Sequence, residues 1–307
     1  MIREYDCFAL VGPTASGKTS ISIKIAKKIN GEVIGLDSRQ IFKGMEIGTA
    51  QPSIEEMDGI KHHLIGSLDP WMRVSAGEYA RKVFKKIKII KNKGKVPIIC
   101  GGAGLYFRAV VKGLFDESST DLLLREKLEI EYDFNPQVLL EKLNKIDPEY
   151  SKIVHINNKK RLVRALEIYK ITGKTPSEHY KNQKINNKLN IFTIYLDWNR
   201  EELNHRIIKR TKNMISEGWF DEVNKLNLMK KDITGLDSIG YHEINLFLKG
   251  EIDKNQLEEK IIIGTRQFAK RQMQWFAKEK LDLVISMNQL KESEIIKILH
   301  CIMVSNK

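Results

Sequence analysis

The sequence predicts an α/β fold: a mostly parallel sheet flanked by helices and carrying an all-helical insertion. Three observations predict it. Apolar runs without polar alternation recur along the chain, amphipathic stretches lie between them, and a glycine-rich turn joins the first run to the first amphipathic stretch. Strands buried on both faces read as unbroken apolar runs, and parallel neighbours need crossover segments that are usually helical.

The first run, FALV (8–11), leads into GPTASGKTS (12–20) and then into ISIKIAKKIN (21–30). The turn fits G-x-x-x-x-G-K-[ST], the P-loop that wraps phosphate oxygens in backbone N–H groups at a helix N-terminus. A strand before it and a helix after it give the P-loop NTPase-like context. Gly12, Pro13, Thr14, Ala15, Ser16, Gly17, Lys18 and Thr19 are therefore the candidate phosphate cradle. The two end glycines let the backbone curl without a Cβ clash, Lys18 supplies a cation, and the Thr19 hydroxyl is a candidate ligand for Mg²⁺.

GEVIGLD (31–37) is the second strand and ends in Asp37, at the edge of an open α/β sheet where ligands collect. KVPIIC (95–100) is the third. It runs into Gly101 and Gly102, where triphosphate-hydrolysing P-loop proteins place an acid. NIFTIYLD (190–197) and LDLVIS (281–286) complete the strands. Between about 116 and 188 the β-like runs stop and helical patterns take over: TDLLLREKLEIEY, NPQVLLEKLNKI and NNKKRLVRALEIYKITG, the last stopping at Gly173. The polar run HYKNQKINNKLN (179–190) follows. The reading is a core domain, 1–115 with 189–307, and a helical insertion, 116–188.

Composition narrows the function classes. No run of 18 apolar residues occurs, and the opening MIREYDCFAL lacks a basic-then-apolar layout, so the expectation is a cytoplasmic protein with no membrane partner. Cys7, Cys100 and Cys301 are too few and too scattered for a disulfide framework or a metal cluster. A formal net charge of +13 fits an acidic partner such as nucleic acid.

Five stretches carry more than this: DSRQIFKGMEIGTAQP (37–52), HHLIGSLDP (62–70), GGAGLYFRAV (101–110), RLVRALEIYKITGKTPSE (161–178) and GTRQFAKRQMQWF (264–276). In that order they resemble the blocks of the tRNA dimethylallyltransferase (isopentenyl-tRNA transferase) family. The absence of a Cys/His zinc pattern after the core points to the bacterial type. The resemblance implies transfer of a dimethylallyl group from dimethylallyl diphosphate to the exocyclic amine of the adenosine 3′ of the anticodon in tRNA. The P-loop then grips the diphosphate leaving group, which accounts for the missing acid after KVPIIC.

Residue by residue, the resemblance implies that Asp37 takes the proton from the amine and that Lys18, the loop amides and Mg²⁺ on Thr19 stabilise the diphosphate. An arginine from ELNHRIIKRTKNMISEGWFDEV (202–223) helps. Arg206 and Arg210 lie four apart on one helical face, with Arg210 favoured. Ser38, Arg39 and Gln40 hold or read anticodon-loop bases. Ala103 and Arg125 match tRNA-contact positions. KKRLVR (159–164), with Lys160, Arg161, Leu162, Val163 and Arg164, and RQFAKRQ (266–272) are candidate grips on the RNA backbone. Three positions depart from the family pattern: Phe42 for Tyr, Ala103 for Thr and Asn158 for Asp. The rival readings are a small-molecule kinase using ATP and a non-enzymatic RNA-binding P-loop protein. A monomer is the expected state.

Overall fold

The computed structural model describes residues 5–113, 120–181, 189–229 and 231–305. Every residue of β1 (Cys7–Val11) is buried, as its unbroken apolar run requires. The P-loop turns directly into α1 (Lys18–Ile29), and the chain returns through β2 (Gly31–Leu36). Then come α2 (Ile54–Met57), the two-residue β3 (His62–His63), α3 (Ala76–Asn92), β4 (Val96–Gly101) and α4 (Gly104–Lys112). After the helical segment, which holds α5 to α9, the core resumes with β5 (Ile191–Asp197), α10 (Arg200–Ser216), α11 (Trp219–Leu228), α12 (Tyr241–Leu248), α13 (Lys254–Phe276), β6 (Leu283–Ser286) and α14 (Glu292–Ser305).

Among the described residues six strands form one sheet in the order β3-β2-β4-β1-β5-β6. Every pairing in it is parallel, with Ala9 opposite Ile99 on one side and Thr193 on the other. β1 is thus central, and its C-terminal end delivers the P-loop to the sheet edge. Phe8, Leu10, Ile98, Ile194 and Leu196 meet Ile21 and Ile25 of α1 and Leu299 of α14 in one buried cluster. Five strands coincide with the runs read from sequence. β3 was not among them, being too short to show a period.

The chain separates into two compact units, Met1–Val111 with Lys188–Lys307, and Lys112–Asn187. The second unit contains α5 (Leu122–Phe134), α6 (Pro136–Ile146), α7 (Pro148–Ser151), α8 (Lys159–Thr172) and α9 (Pro176–Lys181). Its local signals are those of helix ends. Asp121, Asn135, Asp147 and Asn158 cap first turns with their side chains, and Gly173 closes α8 at φ 70°. Asn158 in place of Asp still accepts from the Arg161 N–H, so that departure keeps the cap. The cluster Leu128, Leu139, Leu143, Leu162 and Leu166 fills the unit's own core. Of the polar run after α9, residues 182–188 lie outside the described residues. Among the described residues no helix is long and apolar enough to cross a membrane.

Candidate active site

The P-loop conformation follows from its glycines. Gly12 sits at φ 156°, where a Cβ would meet Leu196 O at 2.9 Å. Gly17 caps α1 in the left-handed region at φ 84° and offers no side-chain bond to the first turn. α1 also has no acid in its first turn, so its leading N–H groups and the positive end of its dipole are left for an anion.

Lys18 lies folded into the loop, where Nζ donates to Pro13 O at 2.6 Å and to Ser16 Oγ at 3.2 Å. Burial pulls its pKa down to about 8, with the Arg210 cation acting in the same direction and Asp37 opposing it. Two arginines of α10 reach the same loop. Arg206 Nε donates to Ala15 O at 2.8 Å with its guanidinium 4.5 Å over the Trp198 ring, and Trp198 Nε1 donates to Ser16 O at 2.9 Å. Arg210 Nη2 donates to Thr14 Oγ1 at 2.7 Å, and burial draws its pKa down to about 10. The sequence left a choice between them; both grip the loop, at successive residues.

Asp37 follows the last residue of β2, and its Oδ1 accepts from the N–H of Arg39 at 2.8 Å and of Gln40 at 3.3 Å. These bonds fix the carboxylate in a tight turn. It lines the same cleft of about 1150 Å³ as the P-loop, Arg206 and Arg210, and acts electrostatically on both Lys18 and Arg210. The structure therefore brings Asp37, Lys18, Thr19 and the two arginines to one cavity. Gln40 lines it too, but Nε2 of Gln40 donates to Thr49 O at 3.0 Å and Ala50 O at 2.9 Å, so its donor end braces a loop. Ser38 and Arg39 are half-buried beside it, and Ala103 N lies 3.3 Å from Leu36 O at the start of α4.

Two further features explain themselves here. A Cβ on Gly101 would meet Leu36 O at 2.1 Å, and one on Gly102 would meet Gln272 Nε2 at 2.3 Å and Gly12 O at 2.8 Å. No side chain fits at either glycine, which is the physical reason that no acid stands at 101 or 102. Gln272 itself is buried. It accepts from Thr14 N at 2.7 Å and donates to Gly102 O at 2.9 Å, tying α13 to the P-loop. The sequence reading put Gln272 among the RNA grips; it is a brace of the phosphate loop instead. Its place in the block 264–276 was the only available signal.

In the helical unit the candidate RNA contacts divide. Lys160 and Arg161 are exposed at the start of α8. Leu162 and Val163 are 0% and 2% exposed in the core of that unit, which corrects the reading of their side chains as RNA contacts. Helical periodicity turns them inward. Arg125 and Arg164 both direct a guanidinium nitrogen to the fully buried Glu167 Oε2, at 2.7 Å each. Each therefore has a structural bond in addition to whatever it meets outside.

Fold and site define a P-loop protein whose cleft brings the cations of Lys18, Arg206 and Arg210 together with the Asp37 carboxylate. The model of the IPP transferase family matches residues 40–279. The chain is 42% identical over 270 residues to the tRNA dimethylallyltransferase of Bacillus velezensis, covering 87% of this chain and 86% of that one. With the tRNA dimethylallyltransferase of Petrotoga mobilis it shares 40% identity over 290 residues, covering 94% and 95%. Among solved structures, the full-length tRNA isopentenylpyrophosphate transferase of Bacillus halodurans matches at a TM-score of 0.72 and 35% identity, over 100% of this chain and 97% of that one. A eukaryotic dimethylallyltransferase described as acting on tRNA matches at a TM-score of 0.82 and 28% identity, over 98% and 80%. The chain belongs to the IPP transferase family.

Proposed function

We propose that this chain is a tRNA-modifying transferase that moves a dimethylallyl group from dimethylallyl diphosphate to the exocyclic amine of the adenosine 3′ of the anticodon, releasing diphosphate. The observation that carries the reading is a single cleft holding the P-loop, Arg206, Arg210 and Asp37 together. Family membership supports the reaction class and weighs against a metabolite kinase.

The chemistry asks for this arrangement. As the allylic C–O bond breaks, its electron pair goes to the diphosphate and positive charge develops on carbon. Donors fixed before the reaction stabilise that separation without reorganising. Lys18, the α1 amides and the two arginines are such donors. The adenine amine attacks the carbon, forms the new N–C bond and loses a proton, which Asp37 accepts. For this the base has to leave its stack, at a cost of a few kcal/mol that contacts elsewhere on the RNA offset.

Among the described residues no group of three or more His, Cys, Asp or Glu could hold a metal. That suits Mg²⁺, which is commonly held by one or two protein oxygens together with substrate phosphates. The Thr19 hydroxyl, in the cleft at the start of α1, would supply that oxygen. Bound there, the ion would neutralise charge on the diphosphate.

The decisive experiment is mass analysis of tRNA nucleosides after incubation with dimethylallyl diphosphate and Mg²⁺. One adenosine gains the mass of C5H8; tRNA that stays unmodified overturns the proposal. Asp37→Ala is expected to lower turnover by about a hundredfold or more while tRNA and pyrophosphate still bind, the loss falling on the proton transfer. Lys18→Ala is expected to weaken pyrophosphate binding and turnover together.

A further inference from the structure

Residues 37–53 carry Asp37 and wall one side of the cleft, yet they contain no helix or strand beyond a single bridge from Phe42 to Leu68. Such a loop keeps one shape only where its backbone polar groups find partners. Some are internal: Gln40 holds the carbonyls of Thr49 and Ala50, and Gln51 Nε2 donates to Phe42 O at 2.7 Å. Another comes from far along the chain. Glu222 of α11, only 7% exposed, accepts from Ile47 N at 2.7 Å through Oε2 and from Gly48 N at 2.9 Å through Oε1. The Tyr241 hydroxyl of α12 donates to the same Oε1 at 2.7 Å.

The fit is close. A Cβ at Gly48 would meet Trp219 Nε1 at 2.2 Å and the Tyr241 ring at 2.4 Å, so only glycine lets the loop lie against α11. α11 also follows α10 across a short turn at Gly218, so the element that carries Arg206 and Arg210 is continuous with the one that holds the Asp37 loop. Glu222 thereby ties α11 to the loop that carries Asp37.

We propose that Glu222 is a positioning residue for the proton-accepting side of the reaction. By fixing Ile47 and Gly48 it sets the carbonyls of Thr49 and Ala50 that hold Gln40. The Gln40 N–H is in turn one of the two that orient the Asp37 carboxylate. The phosphate side, built on the P-loop, Gln272 and α10, does not pass through this contact. The inference rests on the function proposed above and assigns the loop's alignment to a residue outside it.

The test is Glu222→Gln, whose amide nitrogen has to face at least one of the N–H donors. Prenyl-transfer kcat, measured well below the variant's own Tm, is expected to fall by about tenfold or more while the pyrophosphate Kd stays within about twofold. An unchanged kcat with a lowered Tm would mean a role in stability alone and overturns the proposal. So does a parallel loss of pyrophosphate affinity, because the arginine side would then have moved as well. Should Glu222→Gln not fold, Tyr241→Phe decides: it removes one donor to the same carboxylate and is expected to lower kcat about threefold at unchanged pyrophosphate Kd. An unchanged kcat there overturns the proposal. A wild-type chain that transfers nothing sinks the functional reading and this inference together, whereas an active wild type with an indifferent variant sinks the inference alone.

Discussion

Lys18 concentrates the conflict between folding and binding in one side chain. Its ammonium is held by Pro13 O and Ser16 Oγ, and burial lowers its pKa from 10.5 to about 8. Two opposite pH dependences result. On the proposed function diphosphate binding uses the cation, so it is expected to weaken as pH rises through about 8. Folding stability without ligand moves the other way. The unfolded lysine keeps its proton up to about 10.5 while the folded one has released it, so between about 8 and 10.5 the unfolded state binds more protons and stability rises with pH. Calorimetric titration with pyrophosphate and thermal melts across that window check both signs against Lys18→Met, in which both differences disappear. Equal slopes in wild type and variant would mean that Lys18 titrates as a solvated lysine.

Elements show which parts of this protein local sequence encodes. β1, β2, β4 and β5 were legible because a buried parallel strand needs an apolar run, and the P-loop because its backbone path demands glycine at fixed spacing; the edge strand β6 buries only Ile285 yet still shows as the apolar run LVIS. Asp37 and the arginine pair were legible through their blocks and helical spacing. The bonds that hold these pieces in register were not. Gln272 reaches Thr14 across 258 residues and Glu222 reaches Gly48 across 174, and no local pattern marks a polar side chain that spends its hydrogen bonds at such range. Gln272→Leu tests that tertiary link. It leaves Thr14 N and Gly102 O without this partner, at an expected cost of about 1–3 kcal/mol in a urea melt. Because Thr14 also holds Arg210, pyrophosphate affinity is expected to fall by about tenfold or more. A stability loss with unchanged affinity would make Gln272 a packing residue only.

For the whole molecule the governing quantity is a formal net charge of +13, set against a polyanionic substrate. Each phosphate neutralised by a lysine or arginine steepens the fall of log K with log salt by about 0.7 to 0.9. Charges inside the cleft are screened less than those on the surface. Binding of tRNA is therefore expected to weaken steeply with salt, and pyrophosphate binding less so. The helical unit offers a sharp contrast within this field. Lys160 and Arg161 are exposed at the start of α8, whereas Arg125 is bonded to the buried Glu167. Replacing Lys160 and Arg161 together with alanine is expected to reduce the salt slope of tRNA binding by about 1.5 with no change in Tm. Arg125→Ala is expected to act first on stability, by about 1.5–3 kcal/mol, because it removes a charged hydrogen bond to the buried Glu167 while Arg164 still pairs that carboxylate. Titrations of fluorescent tRNA at four salt concentrations, with a melt of each variant, separate the two. If the double variant keeps the wild-type slope, these side chains meet no phosphate and the RNA grip lies elsewhere on the basic surface.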